Sequence, residues 1–199
     1  PDYSRFHGGA GAICAQLYSH YSAAATVHLL PALGTHRPMT SSEIRSMFPD
    51  VPEDKVLIHD WRSGLSVLGE IPGSRLKELS EGRVSYPVRV EINKLIVEGG
   101  YDLIISTGQV VPHEVAGMAG GNKNVLVGTS GPDMINKSHF LGAVCNMERI
   151  MGRADNPVRM LFNEADAKFL ARFGIWQIIT VRARNSAGRL VTRGLFAGQ

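Results

Sequence analysis

The chain has 199 residues, of which 44% are hydrophobic and 20% charged, with a formal net charge of +3 and a pI near 9.0. A chain of this length buries roughly 70% of the surface of its unfolded form, so one domain can be stable without disulfide bonds. Lys and Arg are scattered instead of interleaved with aromatic residues, and no apolar run reaches the ~20 residues of a spanning helix. These features exclude nucleic acid and membrane as partners. We therefore expect a cytoplasmic protein in which Cys14 and Cys145 are reduced thiols.

Helix and strand patterns alternate along the first half of the chain. Small, helix-tolerant residues predict a helix over 10–25, and short apolar runs predict strands over 26–30 and 55–59. Thr40 and Glu43 have the spacing of a capping box, which predicts a helix that begins near Ser41.

The second half continues the alternation. Apolar and β-branched runs predict strands over 88–97 (which could pass into a helix at its end), 101–106, 124–128, 175–183 and 190–196, and helical periodicity covers 133–151 and 163–173. This order favours an α/β domain with a largely parallel, Rossmann-like sheet and flanking helices. In such sheets ligands bind beyond the carboxyl ends of strands, and the loops that contain His36 and His113 both follow predicted strands.

A glycine-rich segment runs from Gly108 to Gly121 and ends at Lys123. Dense glycine lets the backbone approach a bulky ligand and present N–H groups to an anion. The phosphate-binding P-loop is excluded because Asn122 and Asn124 stand on either side of the lysine, where that motif needs Gly and Ser or Thr. A generic glycine-rich turn remains the simpler alternative.

Four separated elements resemble the lactate racemase family. They are Asp2-Tyr3-Ser4-Arg5, Gly34-Thr35-His36-Arg37-Pro38, the segment from Pro112-His113 to Gly120-Gly121-Asn122-Lys123, and the later His139. The resemblance is strongest over 2–5, 33–44 and 102–139. It implies that residues 1–199 are the N-terminal catalytic domain of a two-domain protein, truncated at its start and without the second domain that closes over the active site.

The resemblance also implies an activity and a cofactor. Members of this family racemise or epimerise a small 2-hydroxy acid with nickel held in a pyridinium-derived pincer cofactor, so the enzymes that make this cofactor are expected partners. By match, Lys123 tethers the cofactor through a thioamide beside Gly120 and Gly121, and His139 completes the nickel coordination.

The remaining matched residues act on the substrate. His36 and His113 match the acid–base pair, Arg5 matches the arginine that holds the substrate or its oxyanion, and Asp2 would orient it. Histidine suits a racemase because each enantiomer needs a base on its own side, and the histidine pKa lies near physiological pH. The chain has Leu126-Val127-Gly128 where many members have Leu-Pro-Gly, so the particular hydroxy acid stays open.

Two other functions remain open from the residues. His36, His113 and His139 could form the three-histidine site of a zinc-type hydrolase. The fold could also be a non-catalytic module that binds an anion at the glycine-rich segment. The dipeptide His59-Asp60 lacks the companion residues of metal phosphohydrolases, which favours a role in a loop or at a strand end.

Overall fold

Three small sheets and the helices around them make up the computed structural model, which describes residues 8–199. The helices are α1 (Ala10–Tyr21), α2 (Ser41–Met47), α3 (Gly73–Leu79), α4 (Lys94–Glu98), α5 (Lys123–Leu126), α6 (Pro132–Val144), α7 (Met147–Ile150) and α8 (Pro157–Ala165), with a π-helical segment at Asp166–Leu170 and 3₁₀ turns at Glu53–Lys55 and Ala171–Phe173. The strands are β1 (Leu65–Ile71), β2 (Val88–Asn93), β3 (Ile105–Gln109), β4 (Pro112–His113), β5 (Gly117–Met118), β6 (Trp176–Arg184) and β7 (Leu190–Gly198).

The sheets are mostly antiparallel. β1 pairs with β2, β4 with β5 and β6 with β7 in antiparallel register, while β3 and β6 pair in parallel. The expectation of a largely parallel, Rossmann-like sheet is therefore not confirmed for residues 8–199, although the mixed α/β class is. Short connections explain the β4–β5 and β6–β7 pairs, because strands joined by a few residues pair antiparallel. The turn between β6 and β7, closed by the Asn185 N–H on the Arg189 carbonyl at 2.9 Å, is one example.

Two groups of predicted strands are wrong in detail. The run 124–128 predicted as a strand forms α5 instead, and its apolar residues Val125 and Leu126 are buried by a single helical turn. The runs 26–30 and 55–59 are joined only by an isolated parallel bridge between Leu29 and Val56. A short apolar run signals burial, and it does not distinguish a strand from a buried helical turn.

Local capping signals are confirmed. Thr40 Oγ1 accepts the Glu43 N–H at 3.3 Å, and the Glu43 carboxylate accepts the Thr40 N–H at 2.8 Å, which completes the capping box of α2. The helix predicted over 10–25 is present as α1. The apolar segment that begins at Val88 stops as a strand at Asn93, whose side chain accepts the Leu95 N–H at 2.9 Å and starts α4.

The main hydrophobic core lies between β1–β2 and helices α3, α5, α6 and α8. Its largest fully buried side chains include Ile71, Ile92, Leu126, Met134 and Phe162. Each such side chain stabilises the fold by about 1.5–3 kcal/mol relative to exposure. The core thus holds α5 and α6, the two helices that carry Lys123 and His139, against one scaffold.

A smaller cluster under α2 contains Ile44, Met47 and Phe48. Both cysteines are free thiols, and burial raises the pKa of Cys14, whose sulfur lies 3.1 Å from the Thr107 hydroxyl. Among the helices of residues 8–199, none combines the length and the hydropathy needed to cross a bilayer.

Candidate active site

His113 lies at the end of β4, in the hairpin that the glycine-rich segment forms after β3. The residue is buried, with 7% of its surface exposed. Its Nδ1 accepts backbone N–H groups from Val115 at 3.2 Å and from Ala116 at 3.1 Å. Because both donors are amides, Nδ1 is the nitrogen without a hydrogen, and the neutral ring carries its hydrogen on Nε2. The hairpin thus fixes both the orientation and the tautomer of this ring.

A glycine makes that hairpin possible. Gly117 pairs with His113 in the β4–β5 register and has φ +75°, a conformation that other residues rarely adopt. A Cβ atom at this position would lie 2.1 Å from the carbonyl oxygen of Arg153. The close approach of the 150–153 turn to the hairpin therefore requires glycine.

His139 lies on α6, and its ring is also fixed by the backbone. Nδ1 donates to the carbonyl oxygen of Ile135, one turn earlier, at 2.7 Å. The neutral ring then keeps its lone pair on Nε2, the arrangement typical of metal-binding histidines whose other nitrogen is held by a carbonyl. Burial, and to a lesser degree the positive charge of Lys123, lower the pKa of His139 below its ordinary value. At neutral pH this imidazole is therefore uncharged, as a metal ligand must be.

The structure brings three of the candidate residues together. The rings of His113 and His139 have centroids 6.1 Å apart and planes at 83°, an edge-to-face contact. Lys123, the first residue of α5, is close enough for its charge to act on His139, and the Glu114 carboxylate acts on the same ring with the opposite sign. Two histidines, a lysine and a carboxylate therefore share one small region at the start of α5 and the middle of α6.

His36 lies in a neighbouring loop. That loop contacts the same scaffold, because Gly34, at φ +57°, donates its N–H to the Gly128 carbonyl at 2.8 Å, just after α5. His36 itself lines an open groove of about 430 Å³ formed by residues 35–38 and 58–62. The residues that line this groove do not include His113, Lys123 or His139. A shared site for all four residues thus stays a prediction.

The two candidate cofactor glycines differ in their surroundings. Gly120 has φ +81°, and a Cβ there would lie 2.6 Å from the Gln109 carbonyl oxygen, so the fold itself requires this glycine. Gly121 has φ +61°, and a Cβ there would meet no atom within 4 Å. Its surface beside Lys123 is open, which suits the close approach of a bulky group.

Sequence reasoning missed the side chains that hold this glycine pair. The Arg159 guanidinium donates to the carbonyl oxygens of Met118 at 2.9 Å and Gly120 at 3.0 Å, and to the side-chain oxygen of Asn122 at 2.7 Å. Arg159 is 37 residues from Asn122 in sequence, and no local motif marks it. The one available signal was its place in the first turn of a helix that Asn156 caps.

The arrangement does not support the three-histidine hydrolase. Over residues 8–199, no three or more His, Cys, Asp or Glu side chains are placed together so that they could hold a metal ion. His59 is structural: its Nδ1 lies 2.9 Å from the Asn93 side-chain amide and its Nε2 lies 3.0 Å from the Ser130 carbonyl oxygen. The predicted substrate residues Asp2 and Arg5 lie outside the described residues.

The family model described as "Lactate racemase N-terminal domain" matches residues 10–152. A curated lactate racemase from Thermoanaerobacterium thermosaccharolyticum is 31% identical over 119 residues, a stretch that covers 58% of this chain and 24% of that protein.

Two solved structures have a similar fold. A protein from Thermotoga maritima superposes with a TM-score of 0.87 at 23% identity, covering 98% of this chain and 48% of that one, a likeness of fold alone. The lactate racemase apoprotein from T. thermosaccharolyticum superposes with a TM-score of 0.72 at 25% identity, covering 99% of this chain and 44% of that one. The chain thus spans less than half the length of each of these proteins.

Proposed function

We propose that the full-length protein racemises or epimerises a small 2-hydroxy acid with a nickel-pincer cofactor attached to Lys123. The premise is that this chain belongs to the lactate racemase N-terminal domain family. The observation that carries the proposal is the position of His139, whose Nδ1 is held by Ile135 at 2.7 Å and whose ring lies within reach of the Lys123 charge. That arrangement supports a nitrogen ligand beside an amine anchor. The same proposal includes a small 2-hydroxy acid as the substrate and the enzymes that make the cofactor as partners.

The residues present fit such a cofactor. Lys123 would supply the amine for the tether, His139 Nε2 would supply a metal ligand, and the open surface of Gly121 would leave room beside the tether. When bound, the cofactor would supply the hydride acceptor that no amino-acid side chain provides.

The chain's own part of the chemistry is to move a proton at the substrate oxygen. One histidine takes the hydroxyl proton from one enantiomer, and the other histidine serves the opposite enantiomer. In the arrangement described above, neutral His113 carries its hydrogen on Nε2, so it is set to donate a hydrogen bond to the oxygen of the keto acid. We assign the first removal of a proton to His36.

For Nε2 of His113 to act as a base, the ring must give its Nε2 hydrogen to the product oxygen and take up a hydrogen from solvent on Nδ1, in place of the two amide contacts. The nearby acceptor for that hydrogen is the Glu114 carboxylate, whose Oε2 lies 3.9 Å from Nδ1. The Glu114 side chain is 61% exposed and so can move to meet the ring. A hydrogen bond from Nδ1 to Glu114 would then leave Nε2 of His113 free to take the hydroxyl proton of the opposite enantiomer.

The test is a measurement on full-length protein from a host that makes the cofactor. Intact mass should show an adduct on Lys123, metal analysis should show nickel, and chiral chromatography should show racemisation of at least one 2-hydroxy acid. Protein from a host without the biosynthetic enzymes should lack all three properties. A fully active protein with an unmodified Lys123 would refute the proposal.

A further inference from the structure

Arg159 is half-buried and binds the backbone of the glycine-rich loop. It lies in the first turn of α8, between the buried residues Val158 and Leu161, and burial lowers the pKa of its guanidinium. Its three described acceptors are neutral oxygens, namely two backbone carbonyls and the Asn122 amide, at 2.7–3.0 Å. Even partial burial of a charge against neutral acceptors is costly, and an apolar side chain would often stabilise a fold as well. The arrangement therefore calls for an explanation beyond stability.

Asn122 passes this restraint along the chain. Its side-chain oxygen accepts from Arg159, while its Nδ2 donates to Asn163 at 2.9 Å and to Asp166 at 3.4 Å. The oxygen and the nitrogen of the Asn122 side-chain amide are therefore both bound by groups from α8 and from the π-helical segment after it. Burial raises the pKa of Asp166, and its contact with the Asn122 amide acts in the opposite direction.

The restrained segment leads directly to Lys123. Gly120 and Gly121 both have positive φ, at 81° and 61°, and glycine has more conformations open to it than any other residue. Asn122 is the residue from which α5 begins, so its orientation sets the direction in which Lys123 leaves the backbone. The residues between the end of β5 and Lys123 include both glycines, so the contacts of Arg159 restrain the part of this segment that has the most conformational freedom.

We propose that Arg159 is a positioning residue that fixes Lys123 through Gly120 and Asn122, so that its amine is presented for attachment of the cofactor. The proposal rests on the proposed function for the role of the lysine, but the restraint itself is a property of the protein without cofactor. If Arg159 had a purely structural role, its removal would lower global stability, and hydrogen exchange of the loop would become faster only by the amount that this loss of stability predicts.

The experiment compares Arg159→Met and Arg159→Lys with Arg75→Met in the full-length protein. Arg75 is a matched control, because it forms an ion pair with Glu164 of the same helix α8, at 2.6 Å, and its described partners Glu164 and Glu78 both lie outside the loop. Hydrogen exchange of the backbone over 117–126 is measured on protein without cofactor. The fraction of chains with an adduct is measured on protein from the cofactor-making host.

Arg159→Met should speed exchange over 117–126 by at least about tenfold beyond any global change, the factor that corresponds to about one lost hydrogen bond. It should cut the adduct fraction by a similar factor well below its melting temperature. Arg159→Lys should recover part of both, since one ammonium cannot bind three acceptors in the geometry of a guanidinium. Arg75→Met should leave the exchange of the loop unchanged relative to global stability.

Asn122→Ala provides a second variant if Arg159→Met fails to fold, and it should also loosen the loop. The proposal would be overturned if Arg159→Met showed the same exchange over 117–126 as the wild type. The same outcome in Asn122→Ala would overturn it if Arg159→Met does not fold. A wild-type adduct fraction in a variant whose loop exchanges faster would also overturn it. If neither the wild type nor any variant carries an adduct, but the Arg159 variants still show faster exchange of the loop, then Arg159 restrains the loop and the proposed function is wrong.

Discussion

The Nδ1 hydrogen of His139 is bound by the carbonyl oxygen of Ile135 at 2.7 Å. This bond holds the ring at one angle to α6 and leaves Nε2 as the basic nitrogen. Ile135 also lies against the loop of His36, because a Cβ on Gly34 would come within 3.5 Å of its Cδ1 atom. One turn of α6 thus adjoins both the ring assigned to the metal and the loop assigned to the proton transfer.

His139→Ala should separate metal binding from cofactor attachment. The variant keeps Lys123, so the organic adduct should still form, but nickel retention should fall by more than about 10- to 100-fold, the loss typical of removing only an outer hydrogen-bond partner of a ligand. Intact mass and metal analysis of the same sample measure the two properties. Nickel held as firmly as in the wild type would show that His139 is not a ligand.

Acid should destabilise the protein through His59. The residue is 3% exposed, and burial lowers its pKa below the ordinary value. The unfolded chain therefore takes up a proton near pH 6.5 while the folded chain does not, so the free energy of unfolding falls as the pH drops below about 6.5. For one group the slope is at most about 1.4 kcal/mol per pH unit, and it ends once the pH reaches the folded-state pKa.

Denaturant unfolding at a series of pH values measures this slope. His139 contributes in the same direction, since its pKa is also lowered. His59→Gln should remove only the share of His59, while keeping one donor and one acceptor in the side chain. A slope in His59→Gln equal to that of the wild type would contradict the prediction.

The two candidate glycines should respond differently to alanine. Gly120→Ala brings a Cβ within 2.6 Å of the Gln109 carbonyl oxygen and keeps an unfavourable φ, so it should destabilise the fold by more than the roughly 1–2 kcal/mol of a left-handed conformation alone. Gly121→Ala meets nothing within 4 Å and should cost only about that amount. Thermal or denaturant unfolding of both variants tests the order.

Gly121→Ala also tests the approach of the cofactor. If a bulky group lies against Gly121, the added methyl should lower the adduct fraction although the protein remains folded. An undiminished adduct fraction would restrict the role of Gly121 to the turn. Gly82→Ala serves as a control, since Gly82 also has a positive φ, at 86°, and an open environment far along the chain.

Features set by neighbouring residues were predictable from the sequence. The capping box of Thr40 and Glu43 and the helix of α1 depend on contacts within one or two turns, and both are present. The region that carries His113, Lys123 and His139 was found by its resemblance to a family, since composition alone allowed an ordinary glycine-rich turn.

Features set by distant contacts were not predictable. The Arg159–Asn122 pair spans 37 residues, and no periodicity connects its two ends. Helix α5 was predicted as a strand for the same reason. Val125 and Leu126 are buried in the core, and the apolar run that contains them is too short to show a helical period. The β1–β2 pair was missed because β1 was not predicted, and its antiparallel contact with β2 depends on a register that neither strand specifies alone.

His36→Ala and His113→Ala should each lower kcat/KM in the full-length protein by a factor on the order of 10² to 10⁴, the usual contribution of a positioned acid or base. The loss should be equal in both directions, because two enantiomers have the same free energy and the ratio of the two rate constants is therefore fixed. Chiral chromatography from each pure enantiomer measures it. Wild-type racemisation in either variant would show the two-base scheme to be wrong, and an unchanged adduct on Lys123 is the control for correct assembly.

Lys123→Arg tests the proposed function against a role as a simple positive charge. A thioamide tether needs an amine, whereas a guanidinium keeps the charge but does not replace the amine in that linkage. Lys123→Arg and Lys123→Ala should therefore be equally inactive, and both should lose the adduct and most of the bound nickel, while His139→Ala keeps the adduct. If the lysine only attracted a phosphate or carboxylate, the Arg variant would retain much of the function and the Ala variant would not. The charge of Lys123 contributes to lowering the pKa of His139, so its removal in Lys123→Ala could alter the histidine as well. A nickel titration of both variants without cofactor checks that His139 can still bind the metal. An active full-length Lys123→Arg enzyme would leave hydride transfer without an attached acceptor, and the nickel-pincer function would then have to be abandoned.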